Sequence, residues 1–208
     1  MPLTPDYTLY LVTDRDLMTT PTLEEAVDKA CAGGVTLVQL REKNSDYEKM
    51  LALANSIKKI TDRYGVGLII NDNIRVALES GAMGVHLGQD DMPIDKARKL
   101  AGGELIIGAS VSTTSEAVKA QADGASYLGV GAMTYTPTKP DAHVTSRDEL
   151  DLILHNVSIP CVVIGGINAQ SIPLYKGIGL AGYAVVSAIM AAPDPEASAR
   201  NLKDIITS

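Results

Sequence analysis

The chain has 208 residues, of which 46% are hydrophobic and 21% are charged, and this composition excludes an intrinsically disordered protein. Its length suits one domain that buries most of the surface an unfolded chain would expose. With 18 Lys and Arg against 25 Asp and Glu, the net charge is -7, so no global basic field favours nucleic acid or an anionic membrane.

Short apolar runs alternate with amphipathic stretches eight times along the chain, which is the pattern of parallel βα units. Each run is apolar on consecutive positions, as expected of a strand that is covered on both faces. In chain order, the predicted strands are Leu9–Thr13, Leu37–Leu40, Leu68–Ile70, Gly84–Leu87, Leu105–Gly108, Tyr127–Val130, Cys161–Ile164 and Tyr183–Val186. Eight units predict an α/β fold, a single (β/α)8 TIM barrel, as one domain over residues 1–208.

The connecting stretches carry apolar residues at helical spacing. Met50, Ala54 and Ile57, for example, fall on one face of the second stretch. Glycines follow the stretches, where the C-terminus of a helix needs a left-handed residue. The clearest predicted helices are Leu23–Ala32, Tyr47–Tyr64, Glu116–Ala122 and Arg147–His155.

Charged residues follow the second, third and fourth predicted strands, at the end of the barrel where this fold builds its active site. Alternation directs Gln39, Arg41 and Lys43 into the mouth, where two cations and an amide suit a polyphosphate. Asp72 and Asp91 follow the next two strands, and two such carboxylates can share Mg²⁺ with a substrate phosphate. The structural alternatives are a solvated charged loop and helix-capping aspartates.

Smaller groups follow the later strands. Ser110, Ser112 and Thr113 follow the predicted fifth strand, where hydroxyls can cap the next helix or contact a ligand, and the sequence does not separate these two roles for Ser112 and Thr113. Hydroxyls and a lysine in residues 136–139 follow the sixth strand and suit an oxyanion, although an exposed Pro/Thr loop is the alternative. Gly166 and Ser187 end the last two units, where this fold commonly binds phosphate through backbone N–H groups.

The histidines and cysteines are less informative. His86 lies mid-strand in an apolar context and is interpreted as a packed residue rather than a ligand, whereas His143 lies near the Thr/Lys loop and could approach a substrate. His155 lies at a helix end, where its charge suits the dipole. Cys31 and Cys161 predict buried, reduced thiols, because their spacing fits neither a disulfide framework nor a metal site. The first residues lack a basic region and no apolar run approaches membrane-spanning length, so we expect a cytoplasmic protein.

Motifs spread over nearly the whole chain are more specific than any single residue. They are Tyr10–Asp14, Gln39–Lys43, Ile70–Asn73, Gly84–Gln89 with Asp91, Gly108–Ser110, Thr136–Lys139, Ile164–Ile167 and Val185–Ile189. In this order and spacing they resemble the thiamine-phosphate synthase family. Tyr135 stands where that family often has proline and the chain has no phenylalanine, but neither departure touches the charged residues.

The resemblance implies a transferase of thiamine diphosphate biosynthesis. Such an enzyme joins 4-amino-2-methyl-5-(diphosphooxymethyl)pyrimidine to a thiazole phosphate and releases thiamine phosphate and diphosphate. The family is taken to react by Mg²⁺-assisted dissociative substitution through a pyrimidine-stabilised carbocation, so that no protein nucleophile is needed. The implied partners are these small molecules, with neither nucleic acid nor membrane, and homo-oligomerisation is left open.

The resemblance also implies a role for each motif residue. The pyrimidine diphosphate would be held by Gln39, Leu40, Arg41, Glu42, Lys43, Asn71 and Ser110, with Mg²⁺ on Asp72 and Asp91. The thiazole phosphate would be held by Thr136, Pro137, Thr138, Gly166, Val186 and Ser187. The implied catalytic residues are Arg41, Lys43, Ser110 and Lys139, with Lys139 on the diphosphate.

Three other functions compete with this one. A thiazole tautomerase, an isomerase of similar fold, would need the thiazole site but not the diphosphate and Mg²⁺ residues Arg41, Lys43, Asp72, Asp91 and Lys139. A non-catalytic barrel that binds thiamine precursors would show tight binding without turnover. A sugar-phosphate enzyme would explain the Gly166 and Ser187 site but not the paired carboxylates.

Overall fold

A computed structural model describes residues 5–42, 45–103, 105–135 and 144–208, and these residues contain a closed barrel of eight parallel strands. The strands are β1 Leu9–Val12, β2 Leu37–Leu40, β3 Gly67–Asn71, β4 Gly84–Leu87, β5 Ile106–Val111, β6 Tyr127–Val130, β7 Cys161–Val163 and β8 Gly182–Val185. Each strand pairs with the next along the chain, and β8 pairs with β1 to close the barrel. The predicted TIM barrel is confirmed.

Helices cover the outside of the barrel. Within the described ranges they are α1 Leu23–Ala32, α2 Tyr47–Tyr64, α3 Ile74–Ser80, α4 Ile94–Ala101, α5 Thr114–Ala122, α6 Arg147–Asn156, α7 Ser187–Met190 and α8 Pro195–Thr207. None of these helices has both the length and the apolar composition needed to cross a bilayer.

The seventh unit departs from the predicted alternation. A short 3-10 helix, Ile172–Tyr175, lies between β7 and β8 in place of an α-helix. Pro173 is tolerated near the start of this turn, but it has no backbone N–H to donate. Gly177 and Gly179 follow with positive φ, which ends any helix there. The amphipathic helix expected in this unit is therefore wrong.

The fifth unit has bounds different from those predicted. β5 continues to Val111 instead of ending at Gly108, and α5 begins at Thr114 rather than at Glu116. A capping box sets this start, because Thr113 accepts from the Glu116 backbone and the Glu116 side chain accepts from the Thr113 backbone. As a consequence, Ser110 lies inside β5 and not in the loop after it.

Alternation along the strands divides the apolar residues between two layers. Leu9 and Leu11 of β1 point outward into the layer between strands and helices, whereas Tyr10 and Val12 point into the barrel. The interior cluster consists of Tyr7, Tyr10, Val12, Leu37, Ile69, Tyr127, Val162 and Ala184. It fills the barrel and forms the floor beneath the polar residues at the strand ends.

Candidate active site

A cavity of about 300 Å³ opens at the C-terminal ends of the strands. All eight strands, or the residues directly after them, contribute to its wall. The predicted site residues that line it are Gln39, Arg41, Asn71, Asp72, Asp91, Ser110, Gly166, Val186 and Ser187. The fold therefore brings into one cavity the two groups of residues that the sequence places at opposite ends of the chain.

Two predicted residues in the described part of the chain lie off this cavity. Leu40 is fully buried between the strands and the helices, because alternation turns it away from Gln39 and Arg41. Glu42 pairs with Arg15 at 3.0 Å, and its Oε1 atom is buried without a hydrogen-bond partner. Their substrate roles stay predictions, and Leu40 could contact a substrate only through main-chain atoms.

Several predicted residues lie outside the described residues, so their roles also stay predictions: Lys43, Thr136, Pro137, Thr138, Lys139 and His143. The chain on either side of residues 136–143 is well anchored. The Thr134 backbone N–H donates to Gly165 at 3.3 Å, and the Thr145 backbone N–H donates to Ala132 at 2.8 Å. Because Ala132 and Gly165 line the cavity, the described residues Thr134 and Thr145 are tied to its wall.

Among the residues that the structure describes, Arg41 supplies the positive charge in the cavity wall. Its Nη1 atom lies 3.4 Å from Asp14 Oδ2, and its backbone N–H donates to the Thr13 hydroxyl at 2.9 Å. Both partners follow β1, so the loop after β1 holds the end of β2 in place. Only 15% of the Arg41 side chain is exposed, which limits screening of its charge by water.

Asp72 has an unusual backbone conformation. Its φ is 62°, a left-handed value that Asp and Asn tolerate better than other non-glycine residues, and its N–H donates to the His86 carbonyl at 2.8 Å. The next residue, Asn73, caps α3 by accepting from the Val76 backbone at 3.1 Å. The capping alternative for Asp72 is therefore wrong, and its side chain lines the cavity instead.

Asp91 closes the turn after β4. Its Oδ2 atom accepts from the Gly88 backbone at 2.7 Å, while Pro93 occupies the N-cap position of α4 without a side-chain cap. Asp91 thus holds the turn but does not cap the helix. Asp90 also lines the cavity beside it.

The acidic residues do not form a complete metal cage by themselves. In the described ranges, no group of three or more His, Cys, Asp and Glu side chains lies close enough to hold an ion. Asp72 and Asp91 supply two carboxylates in one cavity. This set suits Mg²⁺, which commonly takes one or two carboxylates and completes its shell with water and substrate phosphate.

His86 is the residue that sequence reasoning undervalued. It is buried, as expected, but it also lines the cavity, with Nε2 2.9 Å from Ser110 Oγ and Nδ1 2.8 Å from the Tyr127 hydroxyl. The Tyr127 hydroxyl lies 2.7 Å from that of Tyr10, to which Gln39 Nε2 donates at 2.8 Å. The available signal was a polar residue at an inward-facing position of an apolar strand.

Two glycines stand among apolar residues in the wall formed by the ends of β7 and β8. Gly165 and Gly166 have φ values of 92° and 72°. A Cβ atom on Gly166 would overlap the Thr134 hydroxyl, so glycine is required for the close approach of these two loops. Ser187 adds one hydroxyl from the start of α7. Close backbone approach with a hydroxyl donor suits an oxyanion.

Known proteins are similar to this chain in sequence and in architecture. A family model described as thiamine monophosphate synthase matches residues 9–189. A thiamine-phosphate synthase of Clostridium beijerinckii is 52% identical over 199 residues, covering 96% of this chain and 95% of that protein. A thiamine-phosphate synthase of Ruminiclostridium cellulolyticum is 51% identical over 203 residues, covering 98% and 97% of the two chains.

Solved structures extend the comparison. A thiamine phosphate pyrophosphorylase from Pyrococcus furiosus has a TM-score of 0.89 and 37% identity, and the match covers 98% of this chain and 96% of that one. A 3-hexulose-6-phosphate synthase has a TM-score of 0.70 but only 18% identity, and so shares the fold alone. The similarity to the thiamine-phosphate synthases and to the thiamine phosphate pyrophosphorylase covers the whole barrel and its cavity.

Proposed function

The chain belongs to the thiamine monophosphate synthase family and is a transferase of thiamine biosynthesis, and from that premise we propose which residues at the barrel mouth perform each part of its reaction. The reaction joins the pyrimidine diphosphate to the thiazole phosphate and releases diphosphate. One observation carries the proposal: the charged residues after β2 to β4 and the glycine wall after β7 and β8 share a single cavity.

Arg41 binds the diphosphate of the pyrimidine substrate. Its guanidinium is permanently charged and is oriented by Asp14, so little reorganisation is needed when a phosphate arrives. As the carbon–oxygen bond breaks, negative charge grows on the departing diphosphate. A fixed cation in a partly buried cavity stabilises that charge more than it stabilises the bound substrate. Lys43 and Lys139 are proposed to act on the same group.

Asp72 and Asp91 would hold Mg²⁺ together with oxygens of the substrate diphosphate. The donor set fits this ion, because two carboxylates leave room for phosphate and water ligands. When bound there, Mg²⁺ supplies positive charge to the leaving diphosphate. Asp72 directly follows the last residue of β3, and its left-handed backbone conformation determines the direction in which its side chain leaves the main chain.

The remaining residues position the two organic groups. Gln39 and Ser110 face the cavity from β2 and β5 and are proposed to bind the pyrimidine ring, with Asn71 beside them. Gly166, Val186 and Ser187 are proposed to bind the thiazole phosphate from the opposite wall. The two substrates would thereby meet across the cavity, with the thiazole nitrogen turned toward the carbon that loses diphosphate. No protein nucleophile is required on this route.

The test is turnover by the purified chain with both substrates and Mg²⁺. We expect thiamine phosphate and diphosphate to form in equal amounts, and EDTA to stop both while added Mg²⁺ restores them. Isomerisation of the thiazole without formation of thiamine phosphate would instead identify a tautomerase. Tight binding without any turnover would identify a non-catalytic binding protein. Action in the cytoplasm stays a prediction from the sequence, and homo-oligomerisation stays open.

A further inference from the structure

Five side chains form one continuous hydrogen-bonded chain across the interior of the barrel. The buried chain, as we call it, runs through Gln39, Tyr10, Tyr127, His86 and Ser110. Its successive distances are 2.8, 2.7, 2.8 and 2.9 Å. Its two ends face the cavity at the wall proposed above for the pyrimidine, so the chain connects two residues that would contact one ligand.

The backbone is shaped to admit this chain. A Cβ atom on Gly108 would overlap both the Tyr127 ring and His86 Nδ1, and one on Gly129 would lie 3.1 Å from His86 Cε1. Gly108 and Gly129 lie on neighbouring strands β5 and β6, and neither has a positive φ that would itself call for glycine. The two glycines therefore make room for the imidazole and the phenol.

The phenols in the chain keep their protons at neutral pH. Burial raises the pKa of Tyr10, and it raises the pKa of Tyr127 well above its usual value. Each phenol therefore has one proton to donate and an oxygen that accepts. Since each link needs one donor and one acceptor, the direction of one link limits the direction of the next.

The direction follows from the Gln39 end. Gln39 Nε2 donates to the Tyr10 oxygen, so the Tyr10 proton is directed to Tyr127. The Tyr127 proton is then directed to His86 Nδ1. In the opposite direction, the Tyr10 oxygen would accept twice and its own proton would have no acceptor in the described part of the chain. A buried donor without an acceptor is costly.

We propose that the buried chain fixes neutral His86 as the Nε2–H tautomer and thereby leaves the Ser110 hydroxyl as a donor toward the pyrimidine. With Nδ1 accepting from Tyr127, Nε2 carries the ring proton and donates to Ser110 Oγ. The Ser110 proton is then directed into the cavity, where a pyrimidine ring nitrogen can accept it. Tyr10, Tyr127 and His86 are positioning residues in this scheme. The identity of the ligand rests on the proposed function, whereas the tautomer does not.

Nitrogen NMR of the ligand-free protein tests the direction. In protein labelled with ¹⁵N-histidine at pH 8, with resonances assigned through His143→Asn and His155→Asn, we expect His86 to carry its proton on Nε2. Gln39→Glu places at the start of the chain a carboxylate that can only accept, so the chain should reverse and move the proton to Nδ1. A wild-type Nδ1–H tautomer, or no change in Gln39→Glu, would overturn the proposal.

Two double variants show whether the change travels through the phenols. Adding Tyr10→Phe to Gln39→Glu cuts the chain, so His86 should return to the Nε2–H form. Adding Tyr7→Phe is the matched control, because Tyr7 packs against Tyr127 with ring centroids 4.8 Å apart but lies outside the chain, so His86 should stay in the Nδ1–H form. Equal behaviour of the two double variants would refute transmission through the chain.

Steady-state kinetics then test the link to the ligand. Tyr10→Phe and Tyr127→Phe should each raise the KM for the pyrimidine diphosphate about fivefold and leave the KM for the thiazole phosphate unchanged, because only the pyrimidine wall loses an oriented donor. Tyr7→Phe should change neither constant. Equal changes in both constants would indicate general structural damage and contradict the positioning role. If no variant or wild type forms thiamine phosphate, the proposed function fails while the NMR result still decides the tautomer.

Discussion

Among the residues that the structure describes, the mouth of the barrel presents charged and polar side chains between β2 and β5, whereas between β6 and β8 it presents glycines, apolar side chains, main chain and the hydroxyl of Ser187. Arg41, Asp72 and Asp91 can respond to a charge that changes during a reaction. The wall around Gly166 offers fixed dipoles at close range, which suits a phosphate whose charge stays the same throughout. The difference supports the proposal that Arg41, Asp72 and Asp91 act on the departing diphosphate while the wall around Gly166 holds the thiazole phosphate in place.

The largest expected effect is on the part of the mouth between β2 and β5, which we call the charged half. Asp72→Asn keeps a residue that tolerates the left-handed backbone but removes the carboxylate charge. We expect kcat to fall about 100-fold or more, because stabilisation of the leaving group is lost, while the KM for the thiazole phosphate stays the same. Rates of diphosphate release at saturating Mg²⁺ measure this. A kcat within a factor of two of wild type would remove Asp72 from the proposed ligand set.

The next largest effect is expected in the part of the mouth between β6 and β8, which we call the glycine half. Gly166→Ala should raise the KM for the thiazole phosphate about 30-fold with a smaller change in kcat, because its Cβ overlaps the Thr134 hydroxyl and forces the wall apart. Gly177→Ala is the matched control, since Gly177 has a similar φ of 76° but open space around it. Both variants should lose about 1–2 kcal/mol of unfolding free energy from backbone strain. Similar KM values in the two variants would show that strain alone acts.

A smaller effect should separate charge from geometry within the charged half. Arg41→Lys keeps the cation but loses the planar donor group that meets Asp14, so we expect a decrease of about tenfold in kcat/KM for the pyrimidine diphosphate. Arg15→Lys, in the neighbouring ion pair with Glu42, lies outside the cavity wall and should leave this constant unchanged. If both variants lose activity equally, the loop after β1 matters rather than the guanidinium of Arg41.

The strands could be predicted because burial on both faces produces apolar runs that are visible in sequence. The end of β5 could not be predicted, because Gly108 was interpreted as the end of a strand. Glycine is needed at position 108 for another reason: Tyr127 and His86 pack against it from the two neighbouring strands. The same limit applies to His86, whose partners lie on β5 and β6 and whose role depends on contacts across the barrel.

The candidate site was predicted in part for a similar reason. Position after a strand was enough to place Arg41, Asp72 and Gly166 at the cavity, since every strand of a parallel barrel ends on the same side. Position could not distinguish a capping side chain from one that lines the cavity, because that depends on the neighbour: Asn73 caps α3, and Asp72 lines the cavity. Leu40 was included through the motif as a whole, although alternation alone turns it away.

The aromatic floor of the cavity also determines how substrates and products reach and leave the site. Tyr10 and Tyr127, with Leu37 and Ile69 beside them, fill the barrel below the site, so a molecule cannot pass through the barrel along its axis. Both substrates and both products must then pass through the opening at the C-terminal ends of the strands. The filled interior thus makes the mouth the route of entry for both substrates and of release for both products, so a change at the mouth should alter uptake and release together.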